Sequence, residues 1–151
     1  VAHLEAAGKL ENLVTACIDT SDGIITALNH LRNINKIEFD LDLEAPNYSE
    51  KSLNFITQNN INKILLWVVE HGDYQLLTII SPSNIDQAKK DVDNLVIIGR
   101  VTKNENSSLN TGQQKIELDL QQLCKNLFTK RHIPHEHLIE LNAKLNKTGM
   151  L

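Results

Sequence analysis

One short segment limits what this chain can fold into more than any other. In "KIEFDLDLEAP", Ile37, Phe39, Leu41 and Leu43 alternate strictly with Glu38, Asp40, Asp42 and Glu44. A period of two is the pattern of a β-strand with one buried and one wet face. The residues before it follow a different period: Ile24, Ala27, Leu28, Leu31 and Ile34 form one face of a helix. Apolar spacing over Leu4 to Val14 predicts a further helix, and "TACI" a short buried strand. Beyond Pro46, a short helix opens at Tyr48 or Ser49 with Leu53 and Ile56 on its inner face, and "NKILLWVVE" is read as helical. "YQLLTIIS" reads as a strand closed by Pro82, "SPSNIDQAKKDV" as a helix and "NLVIIGRVT" as a strand. The polar "KNENSSLNTGQQ" is expected to be a hairpin loop leading into the strand "KIELDL". From Leu120 the tail is helical, broken at Pro134 and resuming through Leu138, Leu141 and Leu145. Strands and helices mix without regular alternation, so an α+β fold is expected rather than a doubly wound sheet.

The chain has 151 residues, enough for a core without disulfide staples. A formal net charge of −4 and the lack of a basic, aromatic-interleaved block argue against nucleic acid as a partner. The longest apolar run, "ILLWVV", is too short to cross a membrane, and no signal peptide is visible. Cys17 and Cys124 have no partners at metal-ligand spacing, which suits a reduced, cytoplasmic setting. The opening residue is Val1 rather than Met, so a fragment of a longer protein, or processing, is expected.

The segment with most chemistry is "ACIDTSDGIITALNHL", where an apolar run stops at Asp19, Ser21, Asp22 and Gly23 just as a helix begins. Two readings are open. In the first, Thr20, Ser21 or Asp22 is an ordinary N-cap and Asp19 a solvated loop residue. In the second, the positive helix end and Gly23 admit a phosphate, with Mg²⁺ between it and the two carboxylates and the Ser21 hydroxyl on the same phosphate.

Three segments in order, "IDTSDGIITALNHL", "EHGDYQLLTII" and "VIIGRVT", resemble motifs of the thiamine-monophosphate kinase family, within the aminoimidazole ribonucleotide synthetase superfamily. The family's I-D-x-S-D-G-L corresponds to Ile18, Asp19, Ser21, Asp22, Gly23 and Ile24, with Leu28 and His30 at the helix end. Its G-G-E-D-Y-E-L is matched at Asp73, Tyr74 and Leu76, and its I-G-x-V/M-T at Ile98, Gly99, Val101 and Thr102. The resemblance covers about Leu10 to Leu120. It implies the C-terminal domain of that superfamily: α+β, three-layer α/β/α, with a mixed sheet of partial ferredoxin-like topology. The synthetase-related domain is placed at residues 1–128, with a helical extension at 129–151 packed on it or on a partner.

The resemblance also implies an ATP- and Mg²⁺-dependent phosphotransferase whose N-terminal half builds most of the nucleotide and metal site and the main dimer contact. The implied partners are that N-terminal half, a small phosphorylated substrate and a second copy in a homodimer. Asp22 and Asp19 carry over as catalytic residues, with Asp22 a Mg²⁺ ligand. Ser21, Gly23, Gly72, Asp73 and Tyr74 carry over to the phosphate and substrate side. No cofactor is expected to bind these 151 residues tightly, and catalysis is expected only with the N-terminal half joined.

The chain departs from the family at Glu70 and His71, where paired glycines are usual, and at Gly72, where the family has Glu. After Leu118 and Asp119 an aromatic able to stack on a substrate ring is replaced by Leu120. A noncatalytic binding or assembly module that kept the fold is therefore the alternative. Selenophosphate synthetases and hydrogenase maturation factors, other branches of the superfamily, differ at the acidic turn. Of the remaining features, His132, His135 and His137 are read as a solvated helix start, because His135 and His137 would point roughly 200° apart. Trp67 is assigned to the core, and Cys17 to a buried, inert thiol.

Overall fold

Two sheets carry the strands. A computed structural model describes residues 4–68, 74–128 and 135–148. The elements run α1 (Leu4–Leu10), β1 (Val14–Asp19), α2 (Ile24–Asn35), β2 (Glu38–Asp42), α3 (Glu50–Gln58), α4 (Leu65–Val68) and β3 (Leu76–Ile80). A single 3-10 turn at Pro82–Asn84 leads into α5 (Ile85–Asp91), followed by β4 (Gly99–Thr102), β5 (Ser107–Asn110), β6 (Lys115–Leu118), α6 (Leu120–Phe128) and α7 (His135–Thr148). β1 and β3 pair antiparallel, and the remaining strands form a mixed sheet ordered β4–β2–β5–β6 with β2 and β5 parallel. The fold is α+β.

The alternation in β2 sorts its side chains as expected. Phe39, Leu41 and Leu43 are buried with Leu109, Ile116 and Leu118 against α2, α4, α6 and α7. The wet face is bound by charge: Lys115 Nζ lies 2.7 Å from Asp40 Oδ1 and Arg100 Nη2 3.0 Å from Oδ2, and Ser108 donates its hydroxyl to Asp40. Lys115 first, then Ser108 and Arg100, hold the Asp40 carboxyl well below the usual carboxylate range. A depressed folded-state pKa stabilises above the unfolded value, near 4, and that contribution disappears as pH falls through the folded value. Urea midpoints of Asp40→Asn are therefore expected to lie below those of the parent near pH 7 and to converge with them as the pH drops below about 4. A gap that stays constant from pH 7 to pH 2 would refute this.

The long polar "loop" at residues 103–114 contains a central strand, not a hairpin tip. β5 inserts between β2 and β6, so β4 is an edge strand and never touches β6. Its polar residues are tolerated because they are satisfied. Ser107, 1% exposed, accepts from the Phe39 amide at 3.0 Å and donates to Glu38 Oε2 at 2.6 Å. Glu38 in turn receives Arg32 Nε at 2.6 Å, which fixes the C-terminal half of α2 to the sheet.

Other boundaries also differ from those read in the sequence. The first helix stops at Leu10, because Val14 already pairs with Ile80. Only Gly99–Thr102 of "NLVIIGRVT" is strand, since the partner β2 ends there, and Val96 and Ile97 are exposed. Ile34, assigned to the buried face of α2, is 75% exposed in the last turn, while Ile25 is buried in its place. Ser49 caps α3, its side chain accepting from the Ser52 amide at 3.1 Å. Trp67 is 1% exposed, and its indole N–H donates to Tyr48 Oη at 2.7 Å. Burial pushes the Tyr48 hydroxyl up to about 12. α7 sits on the α3–α4 turn. Leu145 enters the core, and Asn142 and Asn146 each donate to the Asn60 carbonyl at 3.0 Å.

Candidate functional site

β1 and β3 end level with each other, and that shared end brings two of the three motifs together. The register pairs Asp19 with Leu76, so the residues beyond each strand, Thr20 to Gly23 and Tyr74 to Gln75, meet at one edge. The contact is made by Thr20, which is 3% exposed. Its amide donates to the Gln75 carbonyl at 3.0 Å, and its hydroxyl accepts from the Gln75 amide at 3.0 Å. Sequence reasoning gave Thr20 no role beyond a candidate cap. Its partner lies 55 residues away and nothing local indicates the pair.

The capping reading does not survive. Asp19 Oδ1 accepts the Ser21 amide at 2.9 Å, closing a turn within the loop, and the Ser21 side chain and amide hold the Asp19 carboxyl below its ordinary value. The Thr20 hydroxyl is engaged with Gln75. The N-cap position falls on Gly23, which has φ 89° and ψ 157° and offers no side-chain cap. This backbone region belongs almost to glycine alone. Among the described residues, no side chain caps the first amides of α2 where it meets the acidic turn.

Gly23→Ala is expected to cost about 1–3 kcal/mol, the usual size of such a strained residue. It should also move the amide resonances of residues 19–25 far more than those of the four-stranded sheet. A variant as stable as the parent would show that the turn tolerates a side chain.

Asp19 and Asp22 are exposed, Ser21 is half-buried and Gly23 buried. Tyr74 is 62% exposed and holds a left-handed φ of 52°. Gly72 and Asp73, with Glu70 and His71, lie outside the described residues, as does His132; His135 and His137 fall in the first turn of α7. Cys17, expected to be buried, is exposed: β1 alternates, and Thr15, Cys17 and Asp19 share its outer face. Partial burial and then the nearby Asp19 push its thiol up, away from a reactive thiolate.

Among the described residues no group of three His, Cys, Asp or Glu side chains could hold a metal ion. Mg²⁺ asks for less: one or two carboxylates, with phosphate oxygens and water completing its shell. Two exposed carboxylates beside an uncapped helix N-terminus fit that partial donor set. Two hollows on the described surface, of about 560 and 420 Å³, are lined by other residues.

The fold is shared with solved structures. T. maritima PurL, solved in complex with ATP, superposes with a TM-score of 0.61 over 80% of this chain and 20% of its own length, at 14% identity. E. coli HypE, a hydrogenase maturation protein, gives 0.63 over 88% of this chain and 40% of its own, also at 14% identity. The chain shares the aminoimidazole ribonucleotide synthetase-like fold of these two proteins.

In sequence, the chain is similar to the thiamine-monophosphate kinase of Buchnera aphidicola subsp. Acyrthosiphon pisum (strain APS), 34% identical over 114 residues, 71% of this chain and 34% of the kinase. The kinase of the Schizaphis graminum subspecies (strain Sg) is 33% identical over the same span. The chain therefore spans about a third of the length of these relatives. No family model matches it.

Proposed function

We propose that the chain is the substrate-side, C-terminal domain of an ATP- and Mg²⁺-dependent phosphotransferase of the thiamine-monophosphate kinase kind. In this reading it acts in the cytoplasm, is joined to an N-terminal half and takes a small phosphorylated substrate. The observation that carries the reading is the acidic turn at the uncapped start of α2, tied to the Tyr74 loop by Thr20. The kinase relatives and the ATP complex of PurL support it.

Asp22, with Asp19 beside it, would hold Mg²⁺, which when bound neutralises charge on the transferred phosphoryl group. Ser21 would donate to a phosphate oxygen, and the bare Gly23 backbone would let that phosphate approach the first amides of α2. Gly72, Asp73 and Tyr74 would border the substrate. Leu120 takes no part: it is 1% exposed, so no ring-stacking group stands there, and the substrate is named only by class.

A second reading, a noncatalytic binding or assembly module, is favoured by the lack of a third acidic or imidazole ligand among the described residues. Titrating the ¹⁵N-labelled chain with ATP, ADP and thiamine phosphate, with and without Mg²⁺, separates the two. Metal-dependent shifts centred on residues 19–23 and 72–74 are expected. Their absence at millimolar ligand favours the assembly module.

A further inference from the structure

We infer that Thr20, the unspecified residue inside the acidic motif, is a positioning residue that locks the turn at Asp19–Gly23 to the Tyr74 loop. Every polar group of Thr20 is engaged in this. Its amide donates to the Gln75 carbonyl at 3.0 Å, and its carbonyl accepts the Gly23 amide at 2.9 Å. Its hydroxyl accepts from the Gln75 amide at 3.0 Å and faces the Gln75 carbonyl at 3.4 Å.

The hydroxyl does something that backbone pairing cannot. The β1–β3 ladder ends at Asp19 and Leu76. One residue further on, the Thr20 side chain takes the place of the next ladder carbonyl. The Gln75 amide belongs to the peptide plane that joins it to Tyr74, so holding that amide also orients the left-handed Tyr74 (φ 52°). On the other side, the Thr20 carbonyl anchors Gly23, from which α2 departs, and the Ser21 amide is turned back to Asp19. One buried side chain therefore sets the separation between the carboxylates and the tyrosine.

The lock stands on the geometry alone; its role in positioning a ligand rests on the phosphotransfer reading above. Two arms keep these apart. In the ligand-free chain, Thr20→Val keeps the shape and removes the hydroxyl. It is expected to speed hydrogen exchange at the Gln75 amide at least about fivefold, the loss of one hydrogen bond. The Tyr74 resonance should move while Cys17 and Thr78 in mid-ladder stay fixed, and Thr20→Ser should restore the parent behaviour. Thr20→Ala, which loses the same hydroxyl, serves if the valine variant fails to fold. Gln75 exchange within twofold of the parent in the hydroxyl-free variant overturns the proposal.

In the second arm, ATP with Mg²⁺ is added. The parent and Thr20→Ser should respond at residues 19–23 and at Tyr74 over one concentration range, and Thr20→Val should respond at Tyr74 only weakly or not at all. Equal Tyr74 responses in parent and valine variant overturn the positioning role. A parent that passes the first arm yet gives no response to millimolar nucleotide counts against the phosphotransfer reading, in favour of the assembly module, and leaves the lock standing.

Discussion

Gly99→Ala is expected to destabilise the protein by about 3 kcal/mol or more, a large penalty for one methyl group at an exposed edge strand. A Cβ built at Gly99 would lie 2.3 Å from the Asp40 carbonyl oxygen and 2.9 Å from the Leu41 Cα. Both are backbone atoms of β2, so no side chain can rotate away to make room. Either β4 moves off β2, losing ladder bonds at about 0.5–1.5 kcal/mol each, or the core strand bends and Leu41 leaves its place against Leu109. The I-G-x-V-T motif thereby acquires a structural cause: glycine is required where an edge strand is pressed onto the central one.

Gly8→Ala is the control. Nothing lies within 4 Å of a Cβ there, and Gly8 sits inside α1, so the same change should stabilise by about 0.5–1 kcal/mol. Urea unfolding of the two variants should move in opposite directions. A Gly99→Ala midpoint within 0.5 kcal/mol of the parent, by the usual surface-substitution scale, would mean the strand contact is not as tight as described.

What could be read in the sequence was whatever rests on local periodicity. The alternation of Ile37 to Leu43 and the α2 stripe depend on which neighbours share a face, and the period shows that directly. β5 was hidden because Ser107 and Ser108 look like loop residues. Their hydroxyls are matched by Phe39, Glu38 and Asp40, all more than 60 residues away. Cys17 was misplaced for the opposite reason: an apolar run suggested burial on all sides, whereas β1 has one exposed face.

At the candidate site the carboxylates and the glycine were visible, but not the way they are held. Any Thr, Ser or Asp ahead of an apolar helix looks like a cap. Only the pairing of β1 with β3 diverts Thr20 to Gln75, and only the Asp19 turn diverts Ser21's amide. Thr20 was thus consumed by a contact that spans 55 residues, and Asp22 is passed over because the cap position falls on Gly23.

That diversion bears on the second large effect, Asp22→Asn in the protein joined to its proposed N-terminal half. Asp22 is exposed and has no part in the hydrogen bonds that build the turn, which run through Asp19, Thr20, Ser21 and Gly23. Its removal should leave folding within about 0.5 kcal/mol of the parent, as for other surface changes. Phosphotransfer, on the proposed reading, should fall about 100-fold or more. Exchanging a carboxylate for an amide keeps the shape while removing the charge that a Mg²⁺–phosphate pair would meet, and losing one electrostatic contact to a transferring group costs on that order.

Asp19→Ala should behave differently. That carboxylate accepts the Ser21 amide, so its loss should loosen the turn as well as lower turnover, and the two variants separate ligand from scaffold. Steady-state turnover and urea midpoints measured on both would decide the matter. Unchanged turnover in Asp22→Asn, with folding intact, would remove this residue from the metal site and transfer the weight of the acidic turn to the noncatalytic reading.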